Sequence, residues 1–365
     1  MSYALDGAIL WRAVGILDPE HISPDDLTAR LRANGVLPTG RVTAVHPGER
    51  RPTIISMIIP LRLEYSADAP PDAPTRTILK TDRAGLDPSL PGIGEREVMF
   101  YRRAAPVMPG ALLARCFDAE YSDGRFHILL EDLSETHTIL TQWPLPPSDE
   151  ACAQIIDAWA AVHAVWWRHP QLGHDIGTFL DDAAIAKTAA DVRARYARFA
   201  DALGDRLWPR ARRIYERVFE SYEQLYTPAR IYSTYTLVHG DAHIWNLLYP
   251  RDGLGAGIRL IDWDSWRVGR AASDLAYMMA LHWYPERRAR LEASLLARYH
   301  ATLCAHGVTG YGLDRLREDY RLLVIAHLTT PVWQQSFGLH AMIWWPHLNR
   351  IVAAFEDLDC EELMG

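Results

Sequence analysis

The pattern of apolar and polar positions changes character about one third of the way along the chain. Between residues 41 and 133, short apolar runs alternate with polar positions and are separated by turn-rich segments, which is typical of β-strands. From residue 134 onward, apolar residues recur every three or four positions, the period of an amphipathic helix. The pattern therefore predicts an α+β fold, in which a β-rich N-terminal part precedes a mostly helical C-terminal part.

The β-rich part is predicted to begin after one short helix and to enclose another. Ser23 supplies a helix cap and Gly35 a helix end, so a short helix is expected between them. Strands are predicted at 41–46, 53–66, 76–80, 111–121 and 125–133. The first three have short connections and predict an antiparallel meander. Residues 95–103 place Val98 and Tyr101 on one helical face, so this segment is the predicted internal helix.

The helical part is predicted to carry a single polar interruption. Helices are predicted at 148–167, 191–203 and 211–225, and from residue 274 to the end, with Pro285 and Gly307 bracketing a long one. Residues 234–266 contain two short β-like runs around a glycine-rich turn at 251–257, which predicts a hairpin. We therefore expect an N-terminal lobe at 1–132 and a helical C-terminal lobe at 133–365 that holds the hairpin.

Composition narrows the class of protein. The 365 residues include 38 Lys plus Arg and 46 Asp plus Glu, a net charge of −8, which argues against a nucleic-acid partner because a duplex requires a basic face. The four cysteines form no CxxC pair and predict reduced thiols. No apolar window is long enough to span a membrane, and the first residues lack a cationic stretch, so we expect no membrane association and a cytoplasmic protein.

The polar hairpin concentrates groups that are costly to bury. His239, Asp241, His243 and Asn246 lie within eight residues, and Asp262 follows after the glycine-rich turn. If the turn pairs the two strands, Asn246 and Asp262 approach each other, and two oxygen ligands with an open coordination sphere suit Mg²⁺. The free carboxylate of Asp241 is then available to orient or deprotonate a hydroxyl group. This set of residues is what phosphoryl transfer requires.

Two other interpretations of these residues stay open. Any one of them taken alone could be a buried polar group that is satisfied by structural hydrogen bonds. His239, Asp241 and His243 could instead form a transition-metal site, because the pattern H-x-D-x-H offers three metal-binding side chains on one loop. The second interpretation would make the protein a metal-dependent hydrolase.

The hairpin sequence resembles that of a known class of enzymes. Residues 239–246, HGDAHIWN, match the HGDxHxxN motif of aminoglycoside phosphotransferases and of choline and ecdysteroid kinase-like proteins, and Ile261-Asp262-Trp263 and Asp274-Leu275-Ala276 follow in the family order. The resemblance implies a two-lobed protein-kinase-like fold and the transfer of a phosphoryl group from ATP. It implies Asp241 as catalytic base, Asn246 and Asp262 as Mg²⁺ ligands, and His239 and Asp274 as supports of the catalytic loop. His243 is a further catalytic residue that the resemblance implies in this loop.

The same resemblance assigns roles in the β-rich part. Lys80, at the end of the third predicted strand, would hold the α and β phosphates, and Glu97 on the following helix would fix that lysine. In a chain with only two lysines, Lys80 and Lys187, the filled position is notable. The segment Glu131-Asp132-Leu133 resembles the stretch that links the lobes and would bind the adenine edge.

The loop predicted at 47–53 departs from the protein-kinase pattern because it lacks G-x-G-x-x-G. Arg50, Arg51 and Thr53 are the residues there that could contact phosphates.

The C-terminal helical part contains residues that could bind the phosphate acceptor. Aromatic and amide side chains that could line a pocket for a small hydroxylated molecule with a flat or apolar portion are His282, Trp283, Tyr284, Trp333, Gln334, Gln335, Trp344 and Trp345. The same tryptophans could be helix-packing core. A kinase-fold binding protein without catalysis is the alternative to an active kinase.

Overall fold

The computed structural model describes residues 15–83, 92, 94–140, 147–251 and 257–364. Contacts group these residues into two units, and the chain enters the first unit twice. The first unit comprises the residues up to Leu140 together with Asn246–Trp266, and the second comprises Thr141–Trp245 and Arg267–Gly365. The sequence placed the division at residue 132 and assigned the whole hairpin segment to the helical part, so the structural units divide the chain differently.

The first unit is built on an antiparallel sheet. Its strands are β1 (Val42–Pro47), β2 (Arg51–Pro52), β3 (Ser56–Tyr65), β4 (Arg76–Asp82), β5 (Cys116–Ser122) and β6 (Arg125–Glu131). The strand order is β1-β3-β4-β6-β5, and β2 pairs with β3. The predicted meander is therefore confirmed, and β6 joins β4 because the register Lys80↔Ile128 aligns two buried strands.

The predicted loop at 47–53 is wrong in position. Gly48 donates from its N–H to the Pro60 carbonyl at 2.7 Å, and β2 continues the pairing along β3, so this segment is a bulged extension of β1. The actual reversal is the short turn Thr53–Ser56, closed by a bond from Thr53 N–H to the Ser56 carbonyl at 2.8 Å. Arg50 pairs with Glu20 instead of pointing to that turn.

One face of the sheet carries the core of the first unit. Helix α1 (Pro24–Ala33) begins at the predicted cap, where the Ser23 hydroxyl accepts from Asp26 N–H, and it ends before Gly35 at a φ of 69°. Its buried face packs on the sheet through Leu27, Leu31, Ile59, Leu61, Leu63, Leu79, Phe117 and Leu129. Burying a leucine of this kind is worth about 2 kcal/mol, so this face contributes strongly to the stability of the unit.

Helix α2 (Glu95–Met99) is the predicted internal helix, and it widens into a π-turn at Phe100–Ala104. A second, small sheet completes the first unit. It consists of β7 (His137–Thr138), β9 (Leu247–Pro250) and β10 (Arg259–Leu260) in the order β10-β9-β7. Part of the glycine-rich turn, residues 252–256, lies outside the described residues. The pairing of β9 with β10 confirms the predicted hairpin.

The second unit is mainly helical. Its helices are α3 (Asp149–Val165), α4 (Asp182–Leu203), α5 (Pro209–Glu220), α6 (Tyr222–Leu225), α7 (Pro228–Ile231), α8 (Ala272–Ala276), α9 (Pro285–Ala305), α10 (Leu313–His327), α11 (Thr329–Ser336) and α12 (Ala341–Asp357). The long helix expected between Pro285 and Gly307 is confirmed. None of the helices in the described part of the chain is both long and apolar enough to cross a membrane.

A two-stranded ribbon in the second unit was missed by the sequence. Strand β8 (Tyr235–Val238) pairs with β11 (Arg267–Arg270), not with the strand that follows it in the chain. Along the chain, the hairpin β9–β10 lies between β8 and β11. The chain therefore leaves the second unit after β8, forms the hairpin in the first unit and returns to the second unit at β11. Since pairing partners here are about thirty residues apart, the local pattern gave no signal for them.

Candidate active site

Lys80 lies at the centre of an ionic cluster in the first unit. Its ammonium is 2.6 Å from Glu97 Oε2 and 2.6 Å from Asp262 Oδ1. The lysine and glutamate side chains are 9% and 2% exposed, whereas Asp262 is 40% exposed. The structure thus brings together three of the residues that the sequence singled out, and Asp262 is the member that faces solvent.

The cluster sets the charge states of its members. Burial disfavours the ammonium of Lys80, but the carboxylates of Glu97 and Asp262 outweigh burial and raise its pKa. Burial raises the pKa of Glu97 to about 7, because Lys80 only partly offsets the loss of solvent and the charge of Asp262 adds to it. Lys80 is therefore a cation at neutral pH.

The hairpin brings Asn246 next to the segment that carries Asp262. Leu247 pairs with Leu260, and Ile261 N–H donates to the Asn246 carbonyl at 3.0 Å, so Asn246 and Asp262 flank the same end of the hairpin. Asn246 is buried. An amide oxygen and a carboxylate are the hard oxygen donors that Mg²⁺ prefers, so these two residues fit such an ion by their chemistry.

The backbone at Asp262 adopts a left-handed conformation, and neighbouring contacts hold this segment in place. Its φ and ψ are 64° and 63°, the left-handed region that a non-glycine residue seldom adopts. The following indole, Trp263, stacks on Phe100 with ring centroids 4.0 Å apart, and Trp266 Nε1 donates to the Arg96 carbonyl at 2.6 Å. These contacts fasten the Asp262 segment to the helix that carries Glu97.

Asp241 belongs to the second unit and is held by its own neighbours. Tyr277 donates from its hydroxyl to Asp241 Oδ1 at 2.6 Å, and His243 Nε2 lies 3.2 Å from Oδ2. Burial favours the protonated carboxyl, but His243, the Tyr277 hydroxyl and His239 outweigh it and hold the pKa of Asp241 well below its usual range. Asp241 is thus a carboxylate at neutral pH.

Asp274 braces the loop before Asp241. Its carboxylate accepts from the backbone N–H of His239 at 2.7 Å and of Gly240 at 2.9 Å, which confirms contact between two predicted segments. Asp274 also lies 3.1 Å from Nε2 of His163 on α3, whose Nδ1 is 2.8 Å from the Tyr299 hydroxyl. The sequence missed His163 because a histidine on an apolar helix face is not distinguished from core by its pattern.

A cluster of histidines and aromatic rings lies beside Asp241 in the second unit. His282 is 5.4 Å from His243 and 4.4 Å from His347 by ring centroids, and His347 donates from Nδ1 to Gln334 Oε1 at 2.9 Å. Burial lowers the pKa of His282 well below 6.5, and burial together with Arg350 lowers that of His347 to about 3. Both imidazoles are therefore neutral at physiological pH.

The other predicted acceptor residues differ in burial. Trp283 is buried, whereas Tyr284 and Trp333 are 41% and 48% exposed. Trp344 and Trp345 are intermediate, and Trp344 packs edge-on against Phe199 with centroids 5.7 Å apart, a core contact. The sequence could not separate these cases, because the apolar period is the same for a tryptophan that packs in the core and for one that is exposed.

The segment Glu131-Asp132-Leu133 follows directly on β6. Glu131 N–H donates to the Arg115 carbonyl at 2.8 Å, and the Asp132 carboxylate accepts from Arg76 at 3.1 Å and from Ser134 N–H at 2.9 Å. Burial is outweighed by the bonds from Ser134 and Arg76, which lower the pKa of Asp132. The Asp132 side chain therefore stabilises the turn, and the adenine role of the segment stays a prediction.

Among the described residues, no group of three or more His, Cys, Asp or Glu is arranged to hold a metal ion. Asn246 is not among these residue types, because its side chain would bind a metal through an amide oxygen. The predicted site residues thus fall into two sets. Lys80, Glu97, Glu131, Asp132, Leu133, Asn246 and Asp262 belong to the first unit, and His239, Asp241, His243 and Asp274 belong to the second.

Comparison with known proteins identifies the class of fold. A sequence profile of the ecdysteroid kinase-like family matches residues 92–307, more than half of the chain. A microcompartment-associated aminopropanol kinase has a similar structure, with a TM-score of 0.51 and 13% identity over 86% of this chain and 91% of that one. A choline kinase from Streptococcus pneumoniae gives a TM-score of 0.46 and 13% identity over 87% of this chain and 94% of that one. A search of curated proteins gave no significant match. The fold is therefore α+β and protein-kinase-like, as predicted.

Proposed function

Because the chain belongs to the ecdysteroid kinase-like family, and so is a kinase-type phosphotransferase, we propose that it transfers the γ-phosphoryl group of ATP to a hydroxyl group of a small molecule. The observation that carries the proposal is the cluster of Lys80 with Glu97 and Asp262, two contacts of 2.6 Å around a buried cation. A buried lysine held between two carboxylates from distant parts of the chain has no stabilising advantage over an apolar side chain, which favours a binding role.

The residues of the first unit would bind the nucleotide. Lys80 would contact the α and β phosphates, and Glu97 would keep its ammonium in place. Asn246 and Asp262 would hold Mg²⁺, which when bound neutralises phosphate charge. Backbone groups of residues 131–133 would contact the adenine edge. Since ATP is a cytoplasmic metabolite, a cytoplasmic location follows from this proposal.

Asp241 would act on the acceptor. Its carboxylate would accept the proton of the acceptor hydroxyl while the hydroxyl oxygen bonds to the γ phosphorus and the bond from phosphorus to the bridging oxygen of ADP breaks. The lowered pKa of Asp241 makes it a weak base, which suits a reaction whose transition state places little demand on early proton removal. Most of the rate enhancement would then come from orientation and charge neutralisation.

The acceptor would be a small hydroxylated molecule with a flat or apolar portion. The rings that lie beside Asp241 supply stacking faces, and the neutral imidazoles of His282 and His347 supply hydrogen bonds without adding charge. A screen of hydroxylated compounds tests this assignment.

Two variants separate the proposed roles. Asp241→Ala should abolish transfer to the acceptor and keep Mg²⁺-dependent ATP binding, whereas Asp262→Ala should abolish that binding. A library of hydroxylated compounds, followed by consumption of Mg·ATP, identifies the acceptor, and calorimetry measures ATP binding with and without Mg²⁺. Full activity of purified Asp241→Ala would contradict the proposal. ATP binding without turnover of any compound would favour a kinase-fold binding protein, and stoichiometric zinc in the purified protein would favour a hydrolase.

A further inference from the structure

Tyr277 lies beside Asp241, and the sequence offered no role for it. It follows α8, two residues after Leu275, at the position where the helix changes to a π-turn over Tyr277–Leu281. Single π-turns within helices are rare and are found frequently at functional sites. The first residue of this π-turn carries the phenol that donates to Asp241 Oδ1 at 2.6 Å.

The ring of Tyr277 packs against two histidine rings. His282 lies 4.8 Å away by ring centroids and bonds through Nδ1 to the Tyr277 carbonyl at 2.8 Å. His327 lies 5.2 Å away by ring centroids and contacts the Ser273 carbonyl through Nε2 at 3.1 Å. A buried phenol fixed by packing keeps its hydroxyl directed at one acceptor atom, so the carboxylate of Asp241 has little freedom to rotate.

Resting on the proposed function, we propose that Tyr277 is a positioning residue for the base. Its hydroxyl anchors Oδ1 of Asp241, so that Oδ2, the oxygen beside His243, is presented to the acceptor hydroxyl. A short hydrogen bond to an ionised group is about twice as strong as one between neutral groups, which makes the phenol an effective anchor. Tyr277 takes up no proton in the reaction and acts only through Asp241.

The test replaces the hydroxyl and nothing else. In Tyr277→Phe, with water as acceptor and phosphate release as the assay, kcat should fall roughly ten- to a hundredfold, the range of a hydrogen bond to a charged group. The KM for Mg·ATP should change less than about twofold, because Lys80, Asn246 and Asp262 are untouched. Tyr215→Phe is the matched control, since it removes a buried hydroxyl that donates to the Leu328 carbonyl at 2.7 Å, and it should keep kcat.

A second measurement does not depend on turnover. Carbon-13 labelling of aspartate, with Asp241→Asn to assign the signal, follows the titration of Asp241. The groups that face Asp241 are His239, His243 and Tyr277, with His282 and His347 further out. Loss of the phenol donor should raise the titration midpoint of Asp241 by about one pH unit or more in Tyr277→Phe, and leave it unchanged in Tyr215→Phe.

The outcomes separate the inference from the proposed function. A wild-type protein that binds no Mg·ATP contradicts the proposed function, while the titration still decides whether Tyr277 anchors Asp241. Unchanged kcat in Tyr277→Phe, an unchanged midpoint, or a raised KM with kcat intact would each overturn the inference. A lower kcat with a raised midpoint and an intact KM supports it.

Discussion

The two lysines of the chain lie in opposite environments. Lys80 is buried between Glu97 and Asp262, whereas Lys187 is 76% exposed and pairs with Asp191 one helical turn away. An ammonium is a compact point charge, and a guanidinium is a wide planar fork. The buried site of Lys80 therefore requires a lysine, whereas the exposed site of Lys187 can accept either lysine or arginine.

We expect Lys80→Arg to lower kcat/KM about a hundredfold although the charge is kept, because the guanidinium cannot occupy a space closed by two carboxylates at 2.6 Å. Steady-state kinetics with Mg·ATP measures the change. Lys187→Arg is the matched control and should retain full activity. Wild-type activity in Lys80→Arg would contradict the proposed role of Lys80 in binding the phosphates.

At this scale the sequence predicted residues that carry a motif or a rare residue type, and it missed the ones that support them. Lys80 and Glu97 were predicted as a pair and Asp262 as a metal ligand, and the three side chains lie together. His163 and Tyr277 were not named, since a histidine in α3 and a tyrosine after α8 contribute through contacts over 111 and 36 residues of chain. Such contacts depend on tertiary packing, which no local pattern encodes.

At the scale of elements, a buried ionic network joins α1 to the sheet. Arg30 of α1 contacts Asp118 of β5 at 3.1 Å, and His127 of β6 contacts the same carboxylate at 2.8 Å. Asn34 donates to the other Asp118 oxygen at 2.9 Å. The side chains of Arg30, Asp118 and His127 are almost completely buried, so the network fixes the position of α1 only while all of its charges are paired.

Asp118→Asn should lower the free energy of unfolding by about 3 kcal/mol at pH 7, because it leaves Arg30 buried without its carboxylate. Urea denaturation of the full chain, followed by tryptophan fluorescence, measures the loss. Asp191→Asn breaks an exposed pair within α4 and should leave the unfolding midpoint unchanged within error. Equal effects of the two substitutions would show that the network contributes no more than a surface pair.

The same network gives a pH dependence with a defined sign. Burial raises the pKa of Asp118, but His127 and Arg30 outweigh it, so the folded value lies below 3.8. A lowered carboxyl pKa stabilises the fold above the unfolded pKa, and this contribution is lost as the pH falls through the folded value. The stability difference between wild type and Asp118→Asn should therefore be constant from pH 5 to 7 and smaller at pH 3.5. A difference that grows on acidification would contradict this assignment.

The sequence pattern predicted the short strand connections but misplaced some of the turns and helix ends. The meander β1-β3-β4 and the hairpin β9–β10 have short connections, and both were predicted. The turn at Thr53–Ser56 was misplaced, because a bulge at Gly48 and a strand end give the same turn-rich composition. Helix α4 begins at Asp182, earlier than the predicted residue 191, since the alanines of its first turns carry no amphipathic signal.

At the scale of the whole molecule, the proposed nucleotide residues all belong to one unit although they come from two separate stretches of chain. A ligand that binds only the folded form stabilises it by about 2.7 kcal/mol at a hundredfold excess over Kd. Bound Mg·ATP is expected to stabilise both stretches of the first unit, since each supplies a carboxylate that contacts Lys80.

Hydrogen exchange measured by mass spectrometry tests this expectation. With Mg·ATP, peptides that cover β3, β4 and α2 should exchange more slowly, and so should peptides that cover β9 and β10. Peptides from α4 and α5, which carry none of the proposed ligands, serve as the internal control. Protection confined to residues before Leu140 would mean that Asn246 and Asp262 take no part in binding.

The discontinuity of the first unit also orders events during synthesis on the ribosome. Lys80 and Asp262 are 182 residues apart, so the lysine leaves the ribosome roughly 10 to 40 s before its partner at about 5–20 residues per second. During that interval Glu97 is the only one of the two carboxylates available to Lys80, and β7 lacks the strand with which it pairs. A nascent chain halted before residue 246 should therefore hold an incomplete first unit, and its maturation waits on translation of the hairpin.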